Sequence, residues 1–157
     1  MKKVLLTLGC TMLISLSALA NSQQEALNFF NSYVDGANSY SPKIAEMYSP
    51  SAKIIRQVIK PDGELVNIET DTATYIKQLK LGQAGAKLRN YKNSYTEITA
   101  TPADNGAFKV SSLRQPSGES YKLKTYMIVK KQPNGNWQII EEMMQTKVQT
   151  LLKYAKK

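Results

Sequence analysis

The last long run of the chain, residues 121–148, constrains the fold more than any other stretch. It contains two segments rich in β-branched and aromatic residues, separated by Pro133-Asn134-Gly135-Asn136. Proline, asparagine and glycine favour the backbone angles that turns require. The run therefore predicts two long paired strands at the end of a curved sheet, and we expect one face of that sheet to carry a pocket.

The chain before this run predicts two helices. Ser22 and Glu25 form a capping box for a first helix, which we expect to end near Asp35-Gly36. Ser41-Pro42 favours the start of a second helix, because proline is tolerated in a first turn, and Ser49-Pro50 should end it.

A hairpin, a third helix and further strands are predicted next. Residues 52–60 and 65–68 have strand patterns around the turn Pro61-Asp62-Gly63. Thr70 or Asp71 can cap a third helix, and residues 91–101 and 107–114 have strand patterns. Only the helices are available to cover the apolar face of such a sheet. We therefore predict one domain, residues 21–157, an α+β cone in which helices pack on the concave face of a curved antiparallel sheet.

Two segments in this order resemble a known superfamily. They are Glu46-Met47-Tyr48-Ser49-Pro50-Ser51-Ala52-Lys53-Ile54 and Gly135-Asn136-Trp137-Gln138-Ile139-Ile140. Members of the nuclear transport factor 2-like (SnoaL-like) superfamily often carry a Met-Tyr passage into the first strand and Gly-x-Trp-x-Ile at the last. The resemblance covers essentially all of residues 21–157 and implies the cone fold. It implies no single function, since the superfamily includes isomerases, cyclases, dehydratases and assembly domains.

The first twenty residues resemble a cleaved signal peptide. Lys2 and Lys3 precede the apolar residues 4–16, and Ala18-Leu19-Ala20 is a small-residue cleavage site. Leu8 is in the wrong position for a lipoprotein box, and cleavage before Cys10 would leave a very short apolar region, so Cys10, the only cysteine, should leave with the signal. We expect a periplasmic or secreted protein with no stable membrane span after cleavage. An uncleaved anchor is the alternative.

The charge pattern does not favour a nucleic-acid partner. The formal net charge of +9 falls to +7 without Lys2 and Lys3, and the remaining lysines are scattered. Scattered lysines are typical of a solvated surface, and no nucleic-acid recognition motif is present. We therefore expect no nucleic-acid binding.

The residue types restrict the chemistry. The chain has no histidine, and signal cleavage would leave no cysteine, which removes the usual general base, thiol nucleophiles and histidine triads. No acidic pair has ligand-like spacing, so we expect no metal and no cofactor. Resemblance to the ketosteroid isomerases would place their catalytic aspartate at Arg56 and their tyrosine near Phe30, with Tyr33 one turn away. Arginine stays protonated and cannot act as that base.

Arg56 is the strongest candidate for a site residue. Strand alternation places it with Ala52, Ile54 and Val58, and if that face lines the cone, Arg56 puts a cation in an apolar cavity. It could bind an anionic ligand such as a carboxylate, form an internal salt bridge to Glu141 or Glu142, or reach solvent at the strand end.

Glu141 and Glu142 are adjacent, so strand alternation places them on opposite faces. Trp137, Ile139, Glu141 and Met143 should share one face, and Gln138, Ile140, Glu142 and Met144 the other. Both faces are partly apolar, so the sequence does not determine which of them points into the cone. Because superfamily members commonly pair sheet to sheet, we expect a homodimer through the sheet.

Tyrosine suits a cavity wall, since it combines apolar bulk with one hydrogen-bonding group, and the chain has nine tyrosines. The leading hypothesis is a non-catalytic cone that binds a small, partly apolar ligand, with an anionic ligand as one option, or an envelope scaffold. The alternatives are an isomerase or dehydratase that uses glutamate and tyrosine, and a protein-interaction module. The candidate ligand-binding residues are Arg56, Tyr33, Phe30, Glu141, Glu142, Tyr126 and Trp137.

Overall fold

The computed structural model describes the backbone of residues 6–155 and the side chains of residues 16–155. Lys2, Lys3 and the Cys10 side chain, which entered the signal-peptide prediction, lie outside these described residues. Within residues 6–155 the fold has two α-helices, six strands and three short 3-10 helices (Pro42–Met47, Asp104–Gly106 and Gln149–Tyr154). In chain order the helices and strands are α1 (Leu6–Asn38), β1 (Tyr48–Ile59), β2 (Leu65–Thr70), α2 (Thr72–Leu88), β3 (Ser94–Pro102), β4 (Ala107–Gln115), β5 (Leu123–Lys131) and β6 (Trp137–Thr146).

All six strands form one curved sheet in the order β2-β1-β6-β5-β4-β3. Every neighbouring pair is antiparallel except β1 and β6, which run parallel. The sheet is therefore mixed, whereas the sequence predicted only antiparallel strands. A parallel pair needs a long crossover, and here the whole chain from β2 to β5 separates β1 from β6.

Helix α1 is longer than predicted at both ends. Ser22 lies inside it rather than at its start, because the helix continues upstream as far as Leu6. Gly36 does not end the helix. A Cβ atom there would lie 2.7 Å from Ile44 Cδ1, so this glycine allows the following 3-10 helix to pack closely against α1. No helix within residues 6–155 is long and apolar enough to span a membrane.

The second predicted helix is only a 3-10 helix, and β1 begins earlier than expected, at Tyr48. Helix α2 begins where predicted, with the Asp71 carboxylate accepting a hydrogen bond from the Thr74 backbone N–H at 2.8 Å. It continues to Leu88 despite Gly82 and Gly85, each of which weakens a helix by about 1 kcal/mol relative to alanine. Tertiary packing of the apolar side of α2 compensates for this low propensity.

The core lies between α1 and the concave face of the sheet. Because alternate strand residues point to the same face, each strand contributes every second side chain to it. The buried cluster comprises Ala26, Phe30, Tyr33, Ile44, Tyr48, Ala52, Ile54, Ala100, Phe108, Val110, Met127, Val129 and Ile139.

A β-bulge in β6 changes which residues face inward. Ile128 pairs with Glu141 and Val129 pairs with Ile139, so Ile140 is the extra residue between them. An extra residue shifts the alternation by one position. As a result, Ile139 and Glu142 are both fully buried. The predicted alternation is therefore wrong across the bulge, because residues from the two expected faces share the concave side.

Candidate functional site

A buried ion pair occupies the deep part of the cone. Glu142 is fully buried, and its Oε1 lies 2.7 Å from Nη1 of Arg56, whose side chain is one-fifth exposed. The N–H bonds of Nη1 do not point at Oε1, so this contact is electrostatic rather than an aligned hydrogen bond. Arg56 therefore faces the concave side, as alternation predicted, and the internal salt bridge is the arrangement that the structure contains.

The second carboxylate oxygen of Glu142 is surrounded by tyrosine hydroxyls. Tyr48, at the start of β1, donates a short hydrogen bond to Oε2, and the Tyr33 hydroxyl lies 3.5 Å from the same atom. The Tyr48 hydroxyl is also 3.3 Å from that of Tyr33 and 3.4 Å from that of Tyr75. Since a hydroxyl has one proton, the proton donated by Tyr48 to Glu142 leaves its oxygen free to accept from a neighbour.

Burial and charge favour the neutral form of the three tyrosines and the protonated form of Arg56. Burial, together with the nearby Glu142 charge, raises the pKa of Tyr33 and of Tyr48 well above the usual range, and raises that of Tyr75. Burial opposes the charge of Arg56, but the Glu142 carboxylate outweighs it and raises the pKa of the guanidinium. The tyrosines are therefore neutral donors near neutral pH, and Glu142 lies beside a permanent cation.

Glu141 lies on the opposite, convex face of the sheet. Its Oε1 accepts a hydrogen bond of 2.6 Å from the Tyr126 hydroxyl, and Lys109 lies over the Tyr126 ring at 4.1 Å from the centroid. Glu141 and Tyr126 are thus separated from the other candidates by the sheet itself. No three His, Cys, Asp or Glu side chains are grouped to bind a metal ion in the part of the chain that the structure describes.

Phe30 and Trp137 have packing roles. Phe30 is buried and meets the Tyr95 ring edge-on, with 5.5 Å between centroids. Trp137 packs near Phe108, and its indole N–H donates to Glu25 Oε2 at 3.1 Å, where Lys131 also forms an ion pair at 2.8 Å. Trp137 therefore ties the β5–β6 hairpin to α1, away from Arg56 and Glu142.

The cone is filled at depth and open at one end. Two adjoining cavities of about 340 Å³ and 660 Å³ lie between α2 and the sheet. We call them together the mouth cavity. Volumes of this size suit a small organic ligand. The residues common to both cavities are Tyr75, Gln78, Tyr91, Asn93 and Met144. Tyr33 and Arg56 reach its walls, whereas Glu142 does not.

Arg114 is a second inward-facing cation in the mouth cavity, and the sequence analysis did not select it. It is only 8% exposed. Nη1 donates to Asn93 Oδ1 and Nη2 to the Gln145 carbonyl, each at 3.0 Å, while Nε–H has no partner. Among the described residues no acidic side chain pairs with it. The signal was available, because the alternation argument applied to β4 places Arg114 with Phe108 and Val110.

Comparisons with known proteins address the fold. The sequence matches no protein-family model and no curated protein. Among solved structures, nuclear transport factor 2 from Cryptosporidium parvum is similar, with a TM-score of 0.57 and 14% identity over 78% of this chain and 91% of that one. A proposed scytalone dehydratase from Novosphingobium aromaticivorans has a TM-score of 0.58 and 14% identity over 82% and 86%.

A proposed ketosteroid isomerase from Shewanella frigidimarina is similar to the same degree, with a TM-score of 0.56 and 15% identity over 76% of this chain and 93% of that one. Identities this low establish shape and leave the activity open. The α+β cone predicted from the sequence is thereby confirmed. The chain has the nuclear transport factor 2-like (SnoaL-like) fold.

Proposed function

We propose that this protein is a non-catalytic binding protein that holds a small, partly apolar ligand in the mouth cavity. One observation carries the proposal: the carboxylate at the bottom of the cone is sealed off and neutralised, while the space in front of it is open. Glu142 is fully buried against Arg56 and Tyr48, and it does not reach the cavity wall.

The same geometry argues against proton transfer by Glu142. A general base must come within hydrogen-bond reach of the proton that it removes, and its lone pairs must be available. Here Arg56 lies against Oε1, and Tyr48 already donates to Oε2. An isomerase or dehydratase mechanism based on glutamate and tyrosine would have to break both contacts first.

The lining of the mouth cavity favours a partly apolar ligand. Its walls combine aromatic rings and aliphatic side chains with a small number of polar groups, as in many small-molecule sites. Apolar wall residues contacting the open space include Ile44, Tyr75, Leu79, Tyr91 and Met144.

Co-purification tests the proposal. Protein isolated from its native source is analysed by native mass spectrometry beside two variants of α2, Gln78→Trp and Lys80→Trp. Gln78 lines both parts of the mouth cavity, whereas Lys80 is exposed on the same helix outside its walls. We expect a bound small molecule in the wild type and in Lys80→Trp, and its loss in Gln78→Trp. The absence of any bound molecule, or its retention by Gln78→Trp, would contradict the proposal.

We further propose that the protein acts outside the cytoplasm. The residues that support this are the basic start, the apolar run and the Ala18-Leu19-Ala20 cleavage sequence. Cell fractionation followed by amino-terminal sequencing tests the idea, and we expect the mature chain to begin at Asn21. A chain that retains residues 1–20 in the cytoplasmic fraction would rule it out.

A further inference from the structure

The charges around the mouth cavity are unevenly compensated. Two arginine side chains at its wall are mostly buried. Arg56 is paired with Glu142, whereas Arg114 has no acidic partner among the described residues. The acidic side chains at the wall are engaged elsewhere. Glu69 forms an ion pair with Lys53 at 3.0 Å, and Asp71 caps α2. Arg114 is therefore a buried cation at the mouth cavity with no acidic partner among the described residues.

A buried cation without a counterion is costly, so it needs an explanation. Two neutral oxygens, Asn93 Oδ1 and the Gln145 carbonyl, hold the guanidinium in place, and they leave its charge unbalanced. They use two of its five N–H groups, and Nε–H has no partner. The Nε atom is itself buried, whereas Nη1 and Nη2 each keep one unused N–H bond, and the guanidinium keeps its full positive charge at a wall of an open cavity.

The position of Arg114 is set by neighbouring residues that also line the mouth cavity. Asn38, at the end of α1, accepts a hydrogen bond from the Asn93 backbone N–H and donates to the Asn93 carbonyl, both at 2.9 Å. This double contact orients the Asn93 side chain toward the guanidinium. Gln145, at the end of β6, holds the other side. Such preorganisation lowers the entropic cost of binding a charged ligand.

We propose that Arg114 is the recognition group for the carboxylate of a small, partly apolar monocarboxylic acid bound in the mouth cavity. This inference rests on the proposed binding function. A carboxylate matches the planar donor geometry of a guanidinium. One carboxylate supplies the counterion that the buried Arg114 guanidinium lacks. The aromatic wall formed by Tyr75 and Tyr91 would contact the apolar part.

Matched acid and amide probes test the inference on the unaltered protein. Benzoate, 2-naphthoate and decanoate are compared with their primary amides by titration calorimetry and ligand-observed NMR. Each pair has the same shape and differs in charge. We expect at least one acid to bind, and to bind about tenfold or more tightly than its amide. If no acid binds more tightly than its amide, the inference is overturned.

Three variants then locate the charge that matters. Arg114→Gln should weaken binding of the acid about tenfold or more and leave the amide unaffected, because only the acid uses the charge. Arg114→Lys should recover part of the affinity, since it keeps the charge and loses the planar fork. Arg89→Gln is the control, because Arg89 is an exposed arginine at the same cavity. Equal losses in Arg89→Gln and Arg114→Gln would overturn the assignment to Arg114.

Circular dichroism of each variant shows whether it is folded, and the acid–amide comparison in the wild type stands if Arg114→Gln is not. The two proposals can fail separately. If a molecule co-purifies and is lost in Gln78→Trp, but acids bind no better than amides, the proposed binding function is supported and the proposed role of Arg114 is contradicted. If no molecule co-purifies and no acid binds, both fall.

Discussion

Arg56 Nη1 lies 2.7 Å from Oε1 of Glu142, and this contact joins the two parallel strands of the sheet, β1 and β6, inside the cone. The pair is asymmetric, because the glutamate is fully buried while the arginine keeps one-fifth of its side chain exposed. Arg56 can therefore be partly solvated by water, whereas the charge of Glu142 is compensated only inside the protein.

Removal of the arginine alone should be strongly destabilising. Arg56→Met leaves the Glu142 carboxylate buried without a cation, which should lower the free energy of unfolding by about 3–5 kcal/mol. Urea denaturation of Arg56→Met, Glu142→Gln and the double variant forms a thermodynamic cycle. We expect the double variant to be more stable than Arg56→Met. Additive losses would show that the two charges are not coupled.

The Tyr48 hydroxyl should contribute more to stability than a tyrosine hydroxyl on the convex face. Tyr48→Phe removes the donor to a fully buried carboxylate, and we expect a loss of about 1.5–3 kcal/mol. Tyr126→Phe is the matched control, because it removes a similar bond to the part-exposed Glu141 and should cost less than about 1 kcal/mol. Thermal or urea unfolding of both measures the difference, and equal losses would contradict the burial argument.

Tyrosine ionisation should destabilise the fold in alkaline solution. Burial and the hydrogen bond to Glu141 raise the pKa of Tyr126 to about 12 in the folded state, from the ordinary value near 10. Burial and Glu142 also raise the pKa of Tyr33 and of Tyr48 well above the ordinary value. Folded-state pKa values above the unfolded value give stability that is complete below about pH 10 and is lost as the pH rises.

Ultraviolet titration of tyrosinate, with circular dichroism as the measure of folding, checks this pH dependence. We expect Tyr126 to ionise at about pH 12 if the fold persists, and Tyr33 and Tyr48 to ionise together with unfolding. Tyr126→Phe should remove one titrating group without moving the unfolding transition by much. Ionisation of Tyr48 in a fully folded protein would contradict the prediction.

The convex face of the sheet is the surface through which we expect a homodimer. Tyr126, Ile128 and Met143 lie there, part-exposed on neighbouring strands. Met143→Lys places a charge in this patch and should shift a dimer toward monomer in analytical ultracentrifugation. Leu81→Lys, which alters an exposed leucine on α2, is the control and should leave the mass unchanged. A wild-type monomer, or equal effects of the two variants, would contradict the expected interface.

Much of the fold can be predicted from local sequence because the signals are local. The turn at Pro133-Asn134-Gly135, the cap at Asp71 and the alternation in β1 act over a few residues, and the structure contains all three. The predicted end of α1, near Asp35-Gly36, was two residues too early. Gly36 allows close packing against Ile44 and does not end the helix, and the neighbouring sequence does not reveal this tertiary role.

The candidate site depended on longer-range relationships. Alternation alone placed Arg56 inward, but its partner could be either glutamate, and an extra residue, Ile140, selected Glu142 by shifting the alternation. Arg114 was missed although β4 alternates regularly, because nothing in its own strand shows whether a cation has a counterion. That property belongs to all the elements that surround it.

The sequence by itself determined the order of helices and strands and the residues available to the core, since both follow from periodicity and turn chemistry. Only the tertiary structure decided which charges meet. The parallel pairing of β1 with β6 brings Arg56 to Glu142, and the packing of α1 brings Asn38 to Asn93 and thereby orients Arg114. These contacts join residues far apart in the chain, so their energies depend on a geometry that no local pattern encodes.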